Sequence, residues 1–182
     1  MSHLTDMELY YFNEGTSLTP YAALGCHLVT HNGFPMWRFA VWAPNAQSVA
    51  VTGDWNFWSE TADPMTLVGT TGVWEAFIGI AKAGQLYKYA IIGADGLPLM
   101  KADPYAVRCE PNGTASMVWE LSDYDWKDAG YLSARGDSHT TPMNIYEVHL
   151  GSWKKGLSYR EMAHELIDYV SEMGYNYSEV MP

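Results

Sequence analysis

The sequence predicts a mainly β protein, an antiparallel β-sandwich followed by the beginning of a parallel α/β unit. Two patterns predict it. From about residue 20 to residue 121, short apolar runs alternate with turn residues at the spacing of hairpin-connected strands. After residue 142 the pattern becomes strand, amphipathic helix, strand, the order of a parallel crossover. The aromatic content agrees, because 8 Trp and 13 Tyr among 182 residues suit a pleated surface on which flat side chains pack well.

The elements follow in order. Thr5-Asp-Met-Glu8 has the spacing of a capping box, with Leu9 and Phe12 behind it and Gly15 to stop the pattern, so residues 1–19 form a short helix or arm. The sandwich, residues 20–121, holds strands at Trp37–Trp42, Val49–Thr52, Val73–Ile78 and Tyr87–Ile92, with weaker candidates near Tyr105 and at Ala115–Trp119. Turns are predicted at Pro44-Asn45, Gly53-Asp54, Gly69 with Gly72, and Gly93–Gly96. In this reading the strand tryptophans Trp37, Trp42 and Trp74 are core. Residues 122–142, rich in Asp, Ser, Thr and Gly, read as a linker. In residues 143–182, Asn144–Leu150 is a mostly apolar strand and Ser158–Glu161 a second capping box. Met162, Leu166, Val170 and Met173 then make a helical stripe widened by Ala163 and Ile167, Gly174 closes the helix, and Tyr177–Met181 begins another strand.

Composition narrows the partners. A formal net charge of -11 works against binding nucleic acid or an anionic membrane surface, both of which need basic residues. No uninterrupted apolar run is long enough to span a bilayer, and the first residues lack the basic and apolar regions of a secretory leader. Cys26 and Cys109 lie far apart without a C-x-x-C spacing and read as free thiols, consistent with a cytoplasmic protein. The order of oligomer, if any, has no signal in the sequence.

Several constellations that resemble chemistry fail on spacing. Cys26, His27 and His31 lack a fourth ligand for a metal. His164-Glu165 lacks the second His of a zinc helix, and reads as surface. Asp123, Asp125 and Asp128 lack the glycine and distal glutamate of a calcium loop. Glu147 and His149 alternate on one side of a strand, which suits polar packing more than catalysis.

Three segments resemble one family. Arg38–Ala46, Val49–Trp58 and Pro64-Met65, continued by Gly72–Glu75, Tyr87–Tyr89 and Lys101–Ala106, are similar to a carbohydrate-binding module of family 48, the immunoglobulin-like sandwich that precedes the catalytic barrel in branching enzymes. Met143–Trp153 and the helix after it resemble the first strand and helix of a family 13 barrel in 1,4-alpha-glucan branching enzymes. The resemblance implies an amino-terminal region ending in an incomplete (β/α) barrel start. It also implies an activity that cleaves α-1,4 chains and re-attaches them through α-1,6 bonds, without a cofactor. The catalytic carboxylates of that family lie on later barrel strands, so no residue of this chain is expected to be catalytic and the chain alone is expected to be inactive.

The implied partner is an α-glucan, a neutral, hydroxyl-covered chain held by aromatic faces and polar edges. Trp58 and Lys88 match the family's aromatic and basic glucan contacts, and Asn56 is their neighbour. Trp55 stands where the family pattern has Phe, and is either core or a further contact. Two other readings share these residues: a stand-alone, non-catalytic α-glucan-binding module, and a purely structural sandwich. Since a family barrel needs about 250 residues to close, residues 143–182 are also expected to show open strand edges and an uncovered apolar helix face.

Overall fold

The computed structural model describes residues 2–121, 125–136 and 140–181. The chain divides into two compact units at residues 124 and 125.

In the first unit, α1 (Asp6–Glu14) carries the full capping box: Thr5 Oγ1 accepts the Glu8 N–H and the Glu8 carboxylate accepts the Thr5 N–H at 2.8 Å. Gly15, at φ 81°, closes the helix in the left-handed conformation that glycine tolerates. The short helix α2 (Pro20–Ala23) follows, then, among the described residues, nine strands: β1 (Gly25–His31), β2 (Phe34–Trp42), β3 (Ser48–Gly53), β4 (Asp63–Pro64), β5 (Thr66–Leu67), β6 (Val73–Ile78), β7 (Leu86–Ile92), β8 (Pro98–Lys101) and β9 (Ser116–Met117). One sheet has the order β1-β2-β6-β5; the other has β4-β3-β7-β8, with β9 also on β7. All these pairs are antiparallel.

The register explains the core. Phe39 of β2 lies opposite Cys26 and Ala76, and Trp37 opposite Ile78; in the other sheet Val51 faces Tyr89 and Val49 faces Ile91. All of these but Ile91 belong to one buried cluster between the two sheets, and the partly buried Ile91 packs against it, so the first unit is the immunoglobulin-like β-sandwich expected. Tyr87 and Tyr89 are fully buried, and both hydroxyls donate to Asp103 Oδ2, at 2.7 and 3.0 Å. The other oxygen, Oδ1, accepts the Tyr105 N–H at 2.8 Å. Desolvation in this site holds the Asp103 carboxyl above the usual range, opposed by these hydrogen bonds. A smaller cluster of Leu4, Leu9, Leu24, Ala40 and Val73 carries α1 on the outer side of the β2 sheet.

Several sequence expectations are corrected. Trp42 is half exposed, at 51%, and meets Phe12 edge-on, because strand alternation sends Trp37, Phe39 and Val41 inward and Trp42 outward. Trp74 is only partly buried, its indole N–H donating to the Ala43 carbonyl at 3.0 Å. No strand forms at Tyr105: the Asp103 side chain folds that segment into a turn. Residues 115–119 supply only the two-residue β9. Four strands went unread: β1, whose Cys26-His27 start looked like a ligand cluster, the two-residue β4 and β5, and β8, which opens on a proline. Alternation separates that cluster, burying Cys26 in the core while His27 Nε2 bonds the Leu24 carbonyl.

In the second unit, α3 (Ala129–Ala134) lies within the stretch read as a linker, of which residues 122–124, including Asp123, and 137–139 fall outside the described residues. Then come β10 (Ile145–His149), α4 (Leu150–Trp153), α5 (Tyr159–Glu172) and β11 (Tyr177–Met181), with β10 and β11 paired in parallel. The Ser158–Glu161 capping box is present in α5. Met162 and Leu166 are buried, Val170 is half-buried, and Ile167 and Met173 are exposed. Glu147 and His149 are exposed on the side of β10 opposite the buried Val148, so the packing role expected for them is not seen among the described residues.

Candidate functional site

The site is built on the end of β3. Gly53 is extended, and the chain then makes a single 3-10 turn, Asp54–Asn56, in place of the hairpin turn that Gly53-Asp54 suggested. Gly53 is required sterically: a Cβ there would lie 2.5 Å from the Leu86 carbonyl oxygen and 2.7 Å from a ring carbon of Trp55. Phe57 and Trp58 follow with φ of 54° and 60°, a left-handed conformation that costs non-glycine residues on the order of 1–3 kcal/mol each.

Two carboxylates hold this turn. Asp54 Oδ1 accepts the Trp58 indole N–H at 3.1 Å, and its Oδ2 accepts the Leu86 N–H at 2.8 Å. Asp63 Oδ2 accepts both the Trp55 indole N–H and an Asn56 amide N–H, each at 2.8 Å. Asn56 also accepts the Gly53 N–H at 3.0 Å and donates to the Val51 carbonyl at 3.0 Å. The Trp58 N–H closes the turn on the Gly53 carbonyl at 2.9 Å.

The four residues singled out in the sequence therefore divide. Trp58 is 38% exposed and keeps ring surface open to solvent. Trp55 packs against the core beside Phe39, ring centroids 5.5 Å apart, and Asn56 spends both ends of its amide inside the turn. Lys88 lies on β7 opposite Thr52, the residue before Gly53, and its ammonium donates to Thr114 Oγ1 at 2.7 Å. Thr52 is fully buried, and its hydroxyl has no partner among the described residues. Sequence reading missed Asp54, Asp63, Thr114 and Phe57. The first two were legible as short acceptors flanking a Trp-rich turn; Thr114 reaches Lys88 only through the fold.

Comparison with known proteins bears on this geometry. Residues 23–106 match the model of carbohydrate-binding module 48, also described as the isoamylase N-terminal domain. The turn, Lys88 and strands β1 to β8 lie within the matched span, while Thr114 and β9 lie past it. Over 98% of its length the chain is also similar to the 1,4-alpha-glucan branching enzyme GlgB of Albidiferax ferrireducens, at 48% identity, and that of Halothermothrix orenii, at 44%. GlgB 1 of Streptomyces coelicolor is 45% identical over the same share. The chain spans 29%, 30% and 23% of these relatives' lengths. Among solved structures, the apo pullulanase of Paenibacillus barengoltzii superposes on all of the chain with a TM-score of 0.64 at 18% identity, over 32% of its own length. The Klebsiella pneumoniae pullulanase complexed with maltotriose superposes on 87% of the chain and 17% of its own, at 0.61 and 21% identity. These two likenesses establish the fold. Among the described residues no helix is long and apolar enough to cross a membrane.

Proposed function

We propose that the chain is part of a 1,4-α-glucan branching enzyme and that its module holds an α-glucan on a surface centred on Trp58 and Lys88. The observation that carries the reading is the restrained, half-open Trp58. With its indole N–H on Asp54 and its backbone closed on Gly53, the ring is oriented before any ligand arrives, which lowers the ordering cost of binding. A pyranose face laid on that ring gains on the order of 1.5–3 kcal/mol before other costs, so a single site of this kind binds weakly. Lys88 and Thr114 supply a donor and a hydroxyl to the sugar edge. Trp55 and Asn56 act indirectly, by shaping the turn. A net charge of -11 suits a neutral ligand.

Similarity to branching enzymes over the whole chain supports reading residues 20–121 as the module, 122–142 as a connection and 143–182 as the opening of a (β/α) barrel. The parallel order β10-α5-β11 fits that reading. Branching itself requires a carboxylate nucleophile and a second carboxyl as acid and base, expected in the part of such an enzyme that these residues do not span, and no cofactor. The enzyme would act in the cytoplasm.

Electrophoresis through gels containing glycogen tests the binding reading. The chain is expected to be retarded, Trp58→Ala to run as in a plain gel, and neither to branch amylose. Equal migration of the wild-type chain with and without glycogen would overturn binding and leave the sandwich a structural spacer.

A further inference from the structure

We infer that Phe57 is a second aromatic contact for the glucan, beside Trp58 at the tip of the same turn, and that it gives the site its preference for longer chains; this rests on the glucan-binding reading above. Phe57 is 93% exposed, with its apolar ring almost wholly in water. Its backbone, and that of Trp58, sit at positive φ. Elsewhere among the described residues the chain meets positive φ with Gly, or with Asn at Asn32 and Asn112, the residues that tolerate it. Only at 57 and 58 does it place bulky aromatic rings in that conformation.

Folding alone gives no reason for this choice, since an Asn or Gly at 57 would relax the backbone and remove an exposed apolar ring. The surroundings instead hold the strained pair in place. Trp58 and Ser59 N–H groups bond the Gly53 and Asn56 carbonyls at 2.9 and 3.1 Å, and Asp54 bridges the turn to Leu86. Strain maintained by neighbours at a ring-bearing tip is the pattern of a binding device. The rings lie on consecutive residues, so they present two apolar faces at one place, and successive pyranose rings of a glucan match that chemistry. Asp54 and Glu60 on the same loop offer acceptors for hydroxyls and disfavour anionic ligands. A disaccharide would occupy Trp58 alone, and a longer chain both rings.

The test is calorimetric titration of the whole 182-residue chain with maltose and with maltoheptaose, for wild type, Phe57→Asn, Phe57→Tyr and Trp58→Ala. Phe57→Asn should weaken maltoheptaose binding roughly tenfold, the equivalent of one aromatic face, leave maltose binding unchanged, and hold or raise the melting temperature. Phe57→Tyr should restore affinity. If Phe57→Asn binds maltoheptaose as wild type does while Trp58→Ala does not, this inference is overturned and the glucan-binding reading stands. If Trp58→Ala also binds as wild type, or the wild type binds neither sugar, both fall.

Discussion

The Trp58 indole N–H donates to Asp54 Oδ1 at 3.1 Å, while the other oxygen of that carboxylate accepts the Leu86 N–H at 2.8 Å. One side chain thus ties the exposed ring to the first residue of β7. Asp54→Ala frees the indole and leaves a backbone donor without its charged acceptor. The expected cost is about 1–3 kcal/mol of stability, with glucan affinity reduced about as far as in Trp58→Ala. Urea denaturation and glycogen-gel mobility measure the two effects; full affinity in a destabilised variant would show that Asp54 does not orient the ring.

Asp63 serves two donors with one oxygen, from Trp55 and from Asn56. Asp63→Leu strands both and is expected to cost about 2–4 kcal/mol, the sum of two unmet charge-assisted bonds. Trp55→Phe alone should be milder. In the double variant the penalty should fall below the sum of the singles by about 1 kcal/mol, because Phe has no N–H to leave unpaired. Additive losses in a double-mutant cycle would contradict this pairing.

Gly53→Ala probes packing and not conformation, since Gly53 is extended and alanine adopts that backbone freely. The added Cβ would meet the Leu86 carbonyl oxygen and the Trp55 ring, forcing the turn away from β7. A loss of about 1–3 kcal/mol is expected, with weakened glucan binding. Thermal melts and affinity gels of the alanine variant decide it, and a wild-type melting temperature would show that the turn accommodates the methyl group.

Asp103 makes a pH prediction. Its folded-state carboxyl is held above the ordinary value of 3.8 by burial, against the pull of the Tyr87, Tyr105 and Tyr89 hydrogen bonds. The folded state therefore holds this proton more tightly than the unfolded state. The corresponding stability is fully present below the ordinary carboxylate value and is lost as pH rises through the folded-state value. Asp103→Asn does not titrate, so the stability of wild type relative to Asp103→Asn should increase as pH is lowered from 7 towards 4. Urea melts across that range test it, and a difference that shrinks with acidification would reverse the sign.

Loss of the Ser158 cap from α5 should cost about 1 kcal/mol in the second unit, because Ser158 Oγ accepts the Glu161 N–H and the Glu161 carboxylate accepts the Ser158 N–H at 2.8 Å. Ser158→Ala should lower the temperature at which the α5 helical signal is lost and leave glycogen-gel mobility unchanged. Altered mobility would tie α5 to the binding surface.

The sequence by itself determined whatever is local and periodic. Both capping boxes, the glycine that ends α1, the β2, β3, β6 and β7 strands, and the β10-α5-β11 order follow from spacing, because caps and amphipathic periods depend on neighbours in the chain. It also marked Trp58 and Lys88, through their resemblance to a family pattern. Tertiary structure alone decided which tryptophans are buried, since strand phase turns Trp42 outward and Trp37 inward. It decided that Trp55 and Asn56 are spent inside the turn, because their acceptor, Asp63, comes from the next strand. It joined Lys88 to Thr114 across 26 residues and set Phe57 in a left-handed backbone. Those outcomes depend on which side chains meet across the sheets, and a hydrogen bond or a strained φ is settled only when the surrounding fold supplies the partners that maintain it.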